Sequence, residues 1–184
     1  MKIFISGGCK NGKSTYAQNI AKKRQNGLLY YVATMISTDH EDDERILRHV
    51  KEREGWGFVT IEQPINISEI LGKCDLNGSF LLDSLTALLS NEMFSATGEV
   101  FKNAHVKVAD EISQILRQAE NIVIVSDYIY SDAIRYDSFT ELYRKSLAYL
   151  DCFAASICDV VLEAAYGQII THKGGNAHVY NTMF

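Results

Sequence analysis

The segment Gly7-Gly8-Cys9-Lys10-Asn11-Gly12-Lys13-Ser14 fits the pattern G-x-x-x-x-G-K-[ST], and its chemistry is phosphate binding. Glycines let the backbone turn so that successive N–H groups point inward at phosphate oxygens, and a helix starting near Lys13 adds the positive end of its dipole. In such a loop Lys13 reaches the β- and γ-phosphates of a nucleoside triphosphate, and Ser14 offers its hydroxyl to Mg²⁺. Cys9 is either a thiol tolerated in packing or, in that positive field, a thiolate. A metal-bound triphosphate also calls for an acid at the end of a neighbouring buried strand. Asp83, after Phe80-Leu81-Leu82, holds that place; its alternative role is to cap the helix that follows.

A second group stands in a charged stretch. Arg45, His49 and Arg53 are spaced i−4, i, i+4, so a helix there sets a guanidinium one turn above and one turn below the imidazole. Two such cations oppose a third positive charge, and a neutral imidazole is a nucleophile whose flanking arginines can hold phosphate oxygens. The spacing alone fits two roles: a histidine that attacks the α-phosphorus of a nucleotide and carries the nucleotidyl group, or a solvated histidine on a polar helix. His40, His105, His172 and His178 show no partner pattern, and Cys9, Cys74, Cys152 and Cys158 form no metal-ligand spacing, so the thiols are read as reduced.

Both groups need elements to position them. Lys2 to Ser6 reads as a strand, Ser14 to Lys23 as a helix with Tyr16, Ile20 and Ala21 on one face, and Leu28 to Ala33 as a strand buried on both faces. The charged stretch from Asp39 to Glu54 reads as a mostly solvated helix with a narrow Ile46/Val50 stripe, and Phe58 to Ile61 as a weaker strand closed by Pro64. Strands at Ser79 to Leu82 and Ile122 to Val125 alternate with helices at Leu85 to Met93, Ala104 to Gln118 and about Phe139 to Ile157. Val160 to Ala164 and Gln168 to Thr171 read as a hairpin. The expectation is an α/β fold with a largely parallel sheet flanked by helices.

Composition sets outer bounds. The 184 residues suit one domain, and 47% hydrophobic with 22% charged residues excludes a disordered or fibrous chain. A net charge of −5 argues against a protein that binds nucleic acid through phosphate neutralisation. No apolar run reaches the roughly 18 residues of a spanning helix, and glycines follow the first strand too soon for a signal-peptide core, so a cytoplasmic protein is expected.

In their order along the chain, the Gly7 to Ser14 loop, Tyr31-Val32-Ala33-Thr34, Arg45-Ile46-Leu47-Arg48-His49 with Arg53, the stretch ending in Glu62, and Leu81-Leu82-Asp83-Ser84-Leu85-Thr86 with Ser90-Asn91 resemble one family. It is the bifunctional adenosylcobinamide kinase / adenosylcobinamide-phosphate guanylyltransferase family of cobalamin assembly. The resemblance covers residues 1–173, read as one kinase/nucleotidyltransferase domain, and leaves 174–184 as a C-terminal tail. It implies a RecA-like P-loop NTPase fold and two reactions: phosphorylation of adenosylcobinamide by ATP or GTP, then transfer of GMP from GTP through a guanylylated histidine. His49 stands where that histidine belongs. It further implies nucleotide contacts from Gly7, Gly8, Cys9, Lys10, Asn11, Gly12, Lys13, Ser14, Ala33, Thr34, Met35, Val50, Lys51, Glu52, Arg53, Glu62 and Asp83, a corrinoid acceptor and a homotrimer.

The chain departs from the family pattern in its second half. Asp127-Tyr128-Ile129-Tyr130 stands where the family has Asn-Glu-Val-Gly, and Tyr143-Arg144-Lys145 and Asp151-Cys152 stand where it has Phe-Arg-Asp and Asn-Gln. Phe58 replaces a tryptophan. The segment Tyr128 to Phe139 reads either as a lid whose aromatics pack on a flat ligand or as a subunit contact. The phosphate loop by itself is shared with small-molecule kinases that lack a guanylyl step and with regulatory nucleotide-binding proteins.

Overall fold

The computed structural model describes residues 1–38, 40–95, 97–130 and 132–174, without the side chains of Glu41, Arg45 and Glu52. Strands alternate with helices: β1 (Lys2–Gly7), α1 (Lys13–Lys23), β2 (Leu29–Ala33), α2 (His40–Glu52), β3 (Phe58–Glu62), β4 (Ser79–Asp83), α3 (Leu85–Met93), α4 (Ala104–Gln118), β5 (Asn121–Asp127), α5 (Ser138–Ile157), β6 (Val160–Ala165) and β7 (Gln168–Lys173). The expected elements are present, with ends displaced by one or two residues. A 3-10 helix at Ile67–Gly72 was not anticipated; its buried pair Ile67 and Ile70 is too short a run to register as a period. Of the expected tail, only Gly174 falls among the described residues.

The sheet runs β3-β2-β4-β5-β1-β6-β7, with all neighbours parallel except the β6–β7 hairpin. Helical crossovers permit the parallel pairing, and the two-residue turn at Tyr166 and Gly167 permits the antiparallel one. Successive side chains alternate between two buried layers. Phe4, Tyr30, Val32, Phe80, Leu82, Ile122 and Ile124 meet α3, α4 and α5, while Ile3, Ile5, Leu29, Tyr31, Leu81, Val123 and Val125 meet α1. Each fully buried leucine or isoleucine contributes about 1.5–3 kcal/mol, so the two layers hold the sheet without help from the polar groups at its rim.

That rim is where the polar residues gather. Gly7, Ala33, Glu62, Asp83 and Asp127 are the last residues of β1 to β5. Ala33 is in register with both Glu62 and Asp83, and Gly7 with Asp127. Parallel strands therefore deliver five sequence-distant positions to one edge, where the carboxyl ends of an α/β sheet form a crevice.

Candidate active site

The loop from Gly7 to Gly12 links β1 to α1 and owes its shape to local constraints. A Cβ on Gly7 would stand 2.5 Å from Asn11 Nδ2 and 2.7 Å from the Ala164 carbonyl oxygen, so only glycine lets β6 and the loop approach. Gly12 adopts φ +84° and Lys10 φ +56°, the left-handed bends that turn the chain into α1. Asn11 ties the loop down by donating to the Ala164 carbonyl and accepting from the Lys13 N–H (3.2 Å). The first turn of α1 carries no acid and its last turn carries Lys22 and Lys23, which leaves a positive field at the loop. Lys13 is buried; its Nζ donates to the Gly8 carbonyl (3.1 Å) and forms an ion pair with Asp127. Cys9 is an exposed free thiol, and Ser14 is half-buried on the first turn.

At the end of β4, Asp83 Oδ2 accepts from the Tyr31 hydroxyl (2.9 Å) and stands 3.8 Å from His49 Nδ1. The helix cap expected as the alternative for Asp83 falls to Ser84, whose side chain accepts from the Ala87 N–H. Thr34 braces this corner from β2: its hydroxyl donates to the Ser84 carbonyl and accepts from the Ser84 N–H, both at 2.8 Å. Asn91 on α3 donates to the carbonyls of Thr34 (2.7 Å) and Pro64 (3.1 Å). Arg53 lies one residue past α2, buried, with its guanidinium 4.1 Å from the Tyr31 ring centroid and a hydrogen bond to Thr60. Of the two arginines expected around His49, the side chain of Arg45 lies outside the described residues. The feature that spacing did not show is the carboxylate facing the ring.

A cavity of about 1050 Å³ opens between α2, the ends of β2 to β5, and α3. That is the upper end of what a drug-sized ligand fills, and room for a large one. His49, Val50, Arg53, Ala33, Met35, Glu62 and Asp83 all line it. Thr34 instead serves the backbone brace, Lys51 is exposed away from the lining, and the Glu52 side chain is outside the described residues. The phosphate loop adjoins the cavity through Asp127, which lines it and pairs with Lys13. Ile46 and Val50, the stripe of α2, face this space and belong to neither core layer.

Sequence reading missed Asp127. Its N–H donates to Thr86 Oγ1 (2.8 Å), and Tyr143 on α5 donates to the Thr86 carbonyl (2.9 Å), so Asp127, Thr86 and Tyr143 close the cavity at one end. Burial, with Asp127 and Asp151 adding to it, pushes the Tyr143 phenol well above its ordinary value. Behind Asp127, burial raises Asp151 to about 6 against a hydrogen bond from Tyr130 (2.8 Å). A weaker form of the signal that marked Asp83 was present at Ile122-Val123-Ile124-Val125-Ser126-Asp127, where Ser126 separates the acid from the apolar run. Among the described residues of 128–139, none lines the cavity. Arg144, buried on α5, holds part of that segment through Asp132 (2.9 Å), the Ile134 carbonyl (3.3 Å) and the Tyr136 ring.

The donor set suits Mg²⁺ carried in on phosphate. Among the described residues, no three His, Cys, Asp or Glu side chains converge as a protein-built cage would require. Mg²⁺ takes one or two protein oxygens and completes its octahedron with water and phosphate. Ser14 on the loop and Asp83 on the rim supply donors of that kind.

Comparison with known proteins bears on the family and the fold. The sequence matches, over residues 3–171, a family model described as cobinamide kinase / cobinamide phosphate guanyltransferase. No curated relative matches it. Among solved structures, a protein from Pyrococcus horikoshii OT3 superposes with TM-score 0.55 at 11% identity over 100% of this chain and 91% of that one. A solved ATPase domain superposes with TM-score 0.54 at 11% identity over 94% of this chain and 76% of its own. At such identities these likenesses speak for the fold alone, which is that of RecA-like P-loop NTPases. Among the described residues, no helix is long and apolar enough to cross a membrane.

Proposed function

Since the chain belongs to the cobinamide kinase / cobinamide phosphate guanyltransferase family of cobalamin biosynthesis, we propose that it carries out both transfers in the cytoplasm. In the first, ATP or GTP phosphorylates the cobinamide hydroxyl. In the second, GMP passes from GTP to the phosphate just installed, by way of His49. The observation that carries the reading is the position of His49: on the wall of a cavity that also holds Arg53, Glu62 and Asp83, with a carboxylate facing its Nδ1.

The chemistry follows from that placement. With Nδ1–H turned toward Asp83, Nε2 attacks the α-phosphorus of GTP. The N–P bond forms as the bond to the α–β bridging oxygen breaks, and pyrophosphate leaves with the electron pair. The ring becomes cationic, and Asp83 stabilises it as the orienting carboxylate does in a nucleophile–base–acid array. A phosphate oxygen of the acceptor then displaces His49 from phosphorus. Lys13 and the loop N–H groups hold the triphosphate tail in line, which supplies most of the rate in phosphoryl chemistry. Ser14 and Asp83 would hold Mg²⁺, whose charge offsets that of the phosphates.

Incubation with GTP labelled at the α-phosphate tests this reading. A stable, acid-labile protein adduct that disappears in His49→Ala, while phosphorylation of cobinamide persists in that variant, is the expected result. Phosphate transfer with no adduct in the wild type would leave a small-molecule kinase with His49 a bystander.

A further inference from the structure

We propose that Asp127 is the base that takes the proton from the acceptor hydroxyl in phosphoryl transfer, and that Lys13 holds it inactive until a triphosphate binds. The inference rests on the kinase half of the function above and concerns a residue where this chain departs from its family.

Three observations locate it. Asp127 ends β5 in register with Gly7, directly beside the strand that feeds the phosphate loop. Its carboxylate forms an ion pair with Lys13 Nζ, both side chains nearly inaccessible. The same residue lines the 1050 Å³ cavity. Asp42, Glu54, Glu62 and Asp83 are the other described carboxylic residues on that wall, and of the five only Asp127 contacts the loop lysine. Since Lys13 is to reach a γ-phosphate oxygen at about 3 Å, a carboxylate that touches the same ammonium lies within about 6 Å of that phosphate. Asp83 is committed elsewhere, accepting from Tyr31 and facing His49. The junction between triphosphate and acceptor therefore carries one carboxylate on the loop side, anchored by its own N–H to Thr86.

The step balances as follows. A triphosphate draws the Lys13 ammonium onto its own oxygens, and Asp127 loses the partner that neutralised it. The acceptor hydroxyl then gives its proton to the Asp127 carboxylate as its oxygen bonds to the γ-phosphorus. The bond from that phosphorus to the β–γ bridging oxygen breaks, and the electron pair departs on the nucleoside diphosphate. The titratable groups facing Asp127 are Lys13 from α1 and Asp151 and Tyr143 from α5. The nucleotide thus both brings the phosphate and frees the base.

The test compares Asp127→Asn and Asp127→Glu with wild type, using cobinamide with GTP, nucleotide affinity by calorimetry, and His49 labelling by α-labelled GTP. For Asp127→Asn the expected result is a drop in kcat for phosphoryl transfer of ~10²–10⁴-fold. Nucleotide Kd is unchanged or tighter, because asparagine no longer competes for Lys13, and labelling of His49 falls no more than several-fold. Asp127→Glu regains part of the rate. An unchanged kcat overturns the proposal. So does an equal loss of phosphoryl transfer, labelling and nucleotide affinity, which makes Asp127 a positioning residue for Lys13. Retained nucleotide binding shows that the variant has folded; if the asparagine variant binds nothing, a glutamate variant that binds normally and gains no rate over it overturns the proposal as well. If wild type phosphorylates no cobinamide, the substrate reading fails. The comparison is then made on GTP hydrolysis, with water as the acceptor, where an unchanged rate in Asp127→Asn overturns the base.

Discussion

The ends of β4 and β5 are alike in covalent structure and opposite in company. Each is an aspartate closing an apolar run in neighbouring parallel strands, with Asp127 two positions beyond the residue paired with Asp83. Asp83 meets an imidazole and a phenol; Asp127 meets the loop lysine and has a second buried acid, Asp151, behind it. A sheet edge thus assigns different chemistry to equivalent residues through which helix folds over each: α2 brings His49 to one, α1 brings Lys13 to the other. The cavity spans both, so one ligand can touch two centres in turn.

Exchanging each acid for its amide is the strongest way to break this contrast. Asp83→Asn removes the carboxylate from His49 and from the proposed Mg²⁺ site together, and both transfers are expected to fall, the guanylyl step by ~10²–10⁴-fold when adduct formation is followed by quench. If Asp83→Asn and Asp127→Asn instead give the same profile across the two assays, the two strand ends are not functionally distinct.

Asp151, a buried acid whose charge interacts with that of Asp127, sharpens the contrast. Burial raises its folded-state value to about 6 from an ordinary value near 3.8, so the folded protein holds this proton more tightly than the unfolded chain. The charged form therefore subtracts stability above pH 6, and the loss recedes as pH falls from 6 toward about 4. Two units correspond to at most about 3 kcal/mol. Asp151→Asn should accordingly raise the urea midpoint at pH 8 and lose that advantage near pH 4. A variant whose gain does not depend on pH would mean that Asp151 is not charged at neutral pH in the folded wild type or is relieved by a partner.

Legibility in the sequence followed how local each feature is. The phosphate loop could be read because its backbone alone dictates glycines and a lysine at fixed offsets. Asp83 could be read because an acid after Phe80-Leu81-Leu82 ends a strand whatever its neighbours. Asp127 was passed over because the apolar run stops at Val125, and Ser126 and Asp127 become strand only by pairing with Ser6 and Gly7 across the sheet. The facing of His49 and Asp83 required α2 to lie over β4, which no spacing encodes. The aromatic segment after β5 was ambiguous for the same reason: Arg144, which holds part of it, lies on the next helix.

The helix bearing His49 has one more property. Its apolar side chains Ile46 and Val50 face the cavity rather than either core layer. Much of the water-shedding surface that would fasten such a helix must come from its guest. Amide hydrogens along 40–52 should therefore exchange more quickly than those of β4 and slow several-fold once nucleotide and corrinoid are added, making α2 a built-in occupancy gauge.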